Sequence, residues 1–234
     1  MTYRIRAFAA LLVSFAATPA SAQVVGHLPE KSPYVDAPGR HILTTYLGYL
    51  ASVSEPADVG PKGSLVLAAA YDYDFPSAFF LTMRAGLAPT AERNIRDPLF
   101  SGPQSYVGTR RDPLMFFDMG LAASLTGEKA WNGIAPRLFL NTGFIGSWND
   151  SYDIGEYRFG PKLHVSYGLN LRGVTGRDWE WRAELTRMLY RMNYPNSFTE
   201  DGSTIDESIL GSNRKNPWVG QTTLMLGIAR VWGR

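Results

Sequence analysis

His164 and Ser166 stand two residues apart in a run of alternating polarity, so on an extended chain both side chains leave the same face. A serine hydrolase needs a hydroxyl nucleophile, an imidazole base and an acid that orients the base. Glu180 or Asp178 could supply that acid from the following segment. The same phase of the chain carries charge of both signs at Asp72, Arg84, Asp118, Arg137, Lys162, Arg172, Glu180, Arg182 and Glu184. The chemistry open to such a set is ion pairing or a charge-lined conduction path. Glu180, Arg182 and Glu184 are expected to cluster with Lys162 and His164 on the neighbouring segment, with Arg182 and Glu184 coupled as a pair.

Other chemistries lack their residues. The 234-residue chain has no Cys, which excludes thiolate metal sites, Cys nucleophiles and disulfides. His27, His41 and His164 are the only His, and their spacing fits no metal motif. There is no Gly-rich phosphate loop, so neither metal nor cofactor is expected. Asn149 to Asp153 reads as a solvated loop. With 23 Lys and Arg against 21 Asp and Glu, no basic footprint for nucleic acid exists.

The elements that must hold the polar face are long strands. From Phe159 to Leu171 all odd positions are apolar, while the even positions from Arg158 to Arg172 are polar or Gly. That is period 2, with one face apolar and one wet. Eight such segments recur, at about 41–53, 63–74, 78–89, 113–126, 134–147, 157–172, 178–192 and 218–232. Most exceed the ~5–6 residues of an ordinary strand and suit a tilted bilayer crossing. Short links alternate with long ones at 54–62, 90–112, 148–156 and 193–217. Short periplasmic turns and long outer loops alternate this way in membrane barrels, so the long links are expected outside, the last of them as mobile surface.

Residues 1–22 have the three parts of a secretory signal peptide. Arg4 and Arg6 precede an apolar stretch, and small residues lead to cleavage after Ala22. Residues 23–40 form a Pro-rich periplasmic lead and 41–234 the barrel. Without Arg4 and Arg6 the chain has 21 basic and 21 acidic residues.

The apolar face could meet lipid, or it could line the core of a soluble, lipocalin-type barrel. Small residues on the wet face and Tyr71, Tyr73, Trp179, Trp181 and Trp232 near strand ends favour lipid outside. The wet face then looks into a bore that eight strands leave just wide enough for side chains. Buried charges there must pair, so a paired network is expected in place of an open pore. Arg187, Arg191 and Arg230 fall in the lipid-facing phase toward strand ends, within reach of lipid phosphates.

The tail Gly227 to Trp232 resembles the C-terminal assembly signal of bacterial outer-membrane proteins: Gly227 and Trp232 match, whereas Arg230 and the trailing Gly233-Arg234 depart from it. Taken whole, the chain resembles the small OmpA-, OmpX- and OmpW-type barrels. The resemblance implies an all-β fold, an eight-stranded antiparallel transmembrane up-and-down β-barrel. It also implies residence in the bacterial outer membrane, contact with outer-membrane lipid and lipopolysaccharide, and handling by the barrel-assembly machinery. It implies no activity. The expected role is a structural anchor or interaction protein, with a protein partner reached through residues 23–40 or the long loops. Two alternatives stand beside it. One is a narrow channel for small or hydrophobic solutes. The other follows from the likeness of His164-Val165-Ser166 to the His-x-Ser of outer-membrane lipid A deacylases, although Tyr167 stands where those have Asn.

Overall fold

The computed structural model describes residues 32–37, 39–75, 78–100, 102–149, 151–175, 178–199, 208–211, 213 and 215–233. The expected signal peptide and the first part of the lead, residues 23–31, lie outside the described residues.

Among the described residues, twelve strands follow in chain order. They are β1 (Tyr34–Asp36), β2 (His41–Leu50), β3 (Ser64–Asp74), β4 (Phe79–Ala88), β5 (Glu92–Arg96), β6 (Tyr106–Arg111), β7 (Leu114–Ser124), β8 (Lys129–Trp131), β9 (Ile134–Ser147), β10 (Lys162–Val174), β11 (Trp179–Arg191) and β12 (Trp218–Trp232). Eight of them form a closed ring, β2-β3-β4-β7-β9-β10-β11-β12, in which β12 returns to β2 with Leu226 opposite Leu47. Every neighbour is antiparallel, and each barrel strand pairs with the barrel strands before and after it in the chain. The expected up-and-down barrel is therefore the fold, and closure leaves no unpaired edge.

The period-2 pattern decides the two faces. On β10, Leu163, Val165 and Tyr167 are exposed while Lys162, His164 and Ser166 are buried. The same split runs round the ring, with Leu47, Leu67, Leu87, Phe117, Leu140, Leu185 and Leu226 all about half exposed on the outer wall. A soluble carrier would turn these inward. Here they form a continuous apolar belt around a polar bore. That is the architecture of outer-membrane barrels, where closure satisfies the backbone within hydrocarbon. Connections 75–78, 125–133 and 175–178 share one end, the periplasmic one by that architecture, and the four long links share the other. A ring of aromatics marks the periplasmic rim. His41 stacks on Trp232 at 5.7 Å between ring centres, and Tyr73 meets Phe75 edge-on at 5.4 Å.

Three features depart from expectation and a fourth adds to it. The segment expected at 157–172 enters the ladder only at Lys162, because Pro161 has no N–H to give to it. Phe159, expected on the lipid side, is buried beneath the outer loops. The 90–112 link contains a hairpin, β5 on β6, with a register shift at Ile95/Arg96. Finally, part of the Pro-rich lead adds to the sheet at the periplasmic end, where β1 pairs with β8 through Val35 and Ala130.

The described parts of the outer loops pack together. Tyr194, Phe198 and Leu210 of the 193–217 link are buried with Val59, Ala91, Tyr157 and Phe159. Such side chains gain about 1.5–3 kcal/mol each on burial, enough to hold a loop core over the outer mouth.

Candidate functional site

The bore holds two layers of charge. In the middle layer Arg84 of β4 is central. Its guanidinium donates to Asp118 Oδ2 at 2.5 Å, to Glu184, to Thr186 Oγ1 at 2.8 Å and to Ser166 Oγ at 3.3 Å. The rings of Phe116 and Phe139 lie 5.5 and 5.4 Å from its Cζ. Asp118 also accepts from Ser166 Oγ at 3.0 Å and Asn141 Nδ2 at 3.0 Å, and its Oδ2 lies 3.2 Å from His164 Nε2. Glu184 accepts from Asn170 Nδ2 at 3.0 Å, and Asn170 also donates to the Tyr46 hydroxyl at 2.9 Å.

Register explains the assembly. Arg84, Asp118, Gly143 and His164 occupy one row across β4, β7, β9 and β10. Gly143 has no side chain between Asp118 and His164, and an added Cβ there would collide with Asp118. That gap lets the imidazole reach across a whole strand.

The lower layer lies toward the periplasm. Asp72 accepts from Arg182 Nη1 at 2.5 Å and Arg137 Nη1 at 3.1 Å. Glu180 takes a two-point contact from Arg172, with Nε at 2.8 Å, and sits 3.6 Å from Arg182 Nη2. The Arg137 guanidinium lies over the Phe80 ring at 3.5 Å. Between the layers the remaining cavity is about 20 Å³, room for a water molecule or so.

Some expected neighbours are apart. Glu180 opposes Val174, whereas His164 opposes Tyr190, so on antiparallel strands the two lie at opposite ends. Ten residues at about 3.3 Å each separate those rows. The cluster of Glu180, Arg182 and Glu184 with Lys162 and His164 therefore does not form. Arg182 and Glu184 are not partners either: each reaches across the bore, to Asp72 and Arg84 respectively. Lys162 sits at the outer end of the bore, buried, 4.8 Å from the Phe159 ring centre, with no carboxylate in ion-pair range among the described residues.

The hydrolase geometry is not assembled. Ser166 gives its proton to Asp118, which also holds His164, so the hydroxyl is not directed at an imidazole base. Glu180 is far off and bound to Arg172. Among the described residues no cluster of His, Asp and Glu could hold a metal.

The loop core has its own charged centre, unforeseen in sequence. Arg93 of β5 donates to Asp112 Oδ2 at 2.8 Å, to Asp153 Oδ2 at 2.5 Å and to the Tyr157 carbonyl at 3.4 Å. Asp153, expected in a solvated loop, also accepts the backbone N–H of Gly155 at 3.0 Å and Tyr157 at 2.9 Å. The Glu55 carboxylate accepts the backbone N–H of Ala57 and Gly60 at 2.8 and 2.7 Å and also the Tyr194 hydroxyl. Burial, reinforced by the Glu55 charge, pushes the Tyr157 and Tyr194 phenols well above their ordinary range. No signal in the sequence marks Arg93. Asn141 and Asn170 were findable, since both share the inward phase.

No protein-family model and no curated protein matches the chain. Among solved structures it is similar to Neisserial surface protein A, at 7% identity and TM-score 0.48 over 86% of this chain and 98% of that one. It is similar to the outer membrane protein OprG from Pseudomonas aeruginosa, at 7% identity and TM-score 0.48 over 84% and 97%. It is also similar to the outer membrane protein AlkL, at 12% identity and TM-score 0.46 over 89% and 96%. The fold assignment itself rests on the closed ring of strands and its apolar belt.

Proposed function

We propose that this barrel is an outer-membrane anchor that presents a folded loop cap as an interaction surface, and that its bore does not conduct. The observation that carries this reading is the filled interior: two ion-paired layers leave about 20 Å³ between them. The loop core over the outer mouth adds a second closure. The cap's outer side supports a contact role. Val107, Trp148, Tyr152 and Ile154, all in the long links between barrel strands, are more than half exposed. Exposed apolar side chains away from the lipid belt offer contact points for a partner. The same filled bore argues against a narrow channel for small or hydrophobic solutes, and the direction of the Ser166 proton argues against the deacylase reading.

Planar-bilayer recording of the purified barrel tests the proposal. Baseline current at all holding potentials is expected. A stable unitary conductance would reject the sealed bore. Lipid A mass spectrometry, with and without expression, tests the deacylase reading, and an unchanged acyl pattern is expected.

A further inference from the structure

On the mostly apolar lipid-facing wall, β11 carries a short cationic stretch. Arg187 and Arg191 are both exposed on the outer face, four residues apart on the same side of the strand. A lipid-facing Arg at the bilayer midplane costs about 2–4 kcal/mol, so its depth and partners matter. Trp179 marks the periplasmic rim of the same strand, eight residues before Arg187. A strand tilted by about 40° climbs roughly 2.5 Å per residue along the membrane normal. Arg187 then lies about 20 Å above that rim in a belt about 25 Å tall, just beneath the outer boundary, and Arg191 lies just beyond it.

The surroundings hold both guanidiniums without neutralising them. Arg187 Nη1 donates to Thr222 Oγ1 at 2.7 Å on β12. Its guanidinium lies over Gly220, where an added Cβ would collide with it. Tyr167 stands directly opposite on β10. Arg191 Nε donates to the Asn216 carbonyl at 3.2 Å, and Trp218 is its cross-strand neighbour. No carboxylate pairs with either Arg among the described residues. Arg230, the other lipid-facing Arg, sits at the opposite end beside Trp179.

Two guanidiniums with spare donors, spaced across the outer boundary and flanked below by Leu185 and Leu224, fit an anionic headgroup with acyl chains beneath it. We propose that Arg187 and Arg191 bind a phosphate of an outer-leaflet phosphorylated glycolipid, fixing one such lipid against the β10-β11-β12 wall. This inference rests on the membrane placement argued above.

Native mass spectrometry of the purified barrel tests it with four probes: bisphosphorylated lipid A, the same lipid A stripped of phosphate, phosphatidylglycerol and inorganic phosphate. The wild type is expected to retain bisphosphorylated lipid A in preference to the other three. R187Q/R191Q is expected to lose about tenfold or more of that retention, the scale of one or two charge-assisted hydrogen bonds, while R230Q keeps it. Equal retention of the stripped lipid or of phosphatidylglycerol by the wild type would overturn the inference without needing any variant. So would full retention by a folded R187Q/R191Q barrel. Membrane flotation separates the two levels of the argument. A wild type that floats with vesicles yet shows no phosphate preference sinks this site alone, whereas one that fails to enter vesicles sinks the membrane placement with it.

Discussion

Arg84 on β4 and Asp118 on β7 are direct cross-strand partners, and the 2.5 Å contact between Nη2 and Oδ2 is the hub of the middle layer. Three further groups, from His164, Ser166 and Asn141, converge on the same carboxylate. Without its charge at Asp118 the layer keeps the Arg84–Glu184 pair but loses the acceptor shared by the other donors, at about 1–3 kcal/mol. Asp118→Asn is therefore expected to lower the unfolding free energy of the refolded barrel by that amount in urea titration. Arg84→Met combined with Asp118→Asn is expected to cost less than the sum of the two single changes, although Glu184 then loses its partner. Strictly additive losses would show that the two charges do not act as a pair.

The faces of this barrel are legible because parity depends on nothing but sequence spacing. Asp72, Arg84, Asp118, Arg137, Lys162, His164, Arg172, Glu180, Arg182 and Glu184 share the inward phase, and all are buried. Who pairs with whom is not legible. Asp72 on β3 meets Arg182 on β11 across the bore, 110 residues away, and that contact depends on how the ring is staggered when it closes. Antiparallel reversal alone separates Glu180 from His164: with Val174 opposite Glu180, each step back along β10 is matched by a step forward along β11. The cap is less legible still. Tyr194, Phe198 and Leu210 stand singly among Asn, Ser, Asp and Gly, with no periodicity to show that they converge.

Lys162 poses the opposite case to Asp118. It is buried at the outer end of the bore, with an aromatic ring for company and no carboxylate among the described residues. An unpaired buried cation opposes folding, and a flexible apolar side chain of similar length relieves that cost. Lys162→Met is expected to leave the urea midpoint unchanged or to raise it. A loss above about 1 kcal/mol would reveal a stabilising partner for the ammonium.

The cap should weaken in alkali while the wall persists. Tyr157 and Tyr194 ionise less readily when folded than when unfolded, because burial and then the Glu55 charge oppose the phenolate. Groups whose folded pKa is raised stabilise fully below the unfolded value, about 10 for Tyr, and lose that contribution as pH climbs beyond it. Limited proteolysis of the outer loops is expected to accelerate from about pH 10 upward, with the barrel band on gels intact. The two phenols differ at neutral pH. The Tyr157 hydroxyl is buried without a hydrogen-bond partner among the described residues, whereas Tyr194 donates to Glu55. Tyr157→Phe is expected to protect the cap or leave it unchanged, and Tyr194→Phe to cost about 1–2 kcal/mol. Equal effects of the two changes would contradict the assignment.

Cap and bore make separable contributions to closure. Phe198 stacks on Tyr157 and Tyr194, each at 6.3 Å between ring centres, and Phe198→Ser should unpack the loop core. Its phenotype is expected to be faster protease nicking within 193–217. The ion-paired layers beneath use Arg84, Asp118, Glu184, Asp72 and Arg182, none of them in the loops. Current through Phe198→Ser in planar bilayers is therefore expected to stay at baseline even when the loops are cleaved. A steady current after cleavage would make the cap the gate and the charge layers merely its lining.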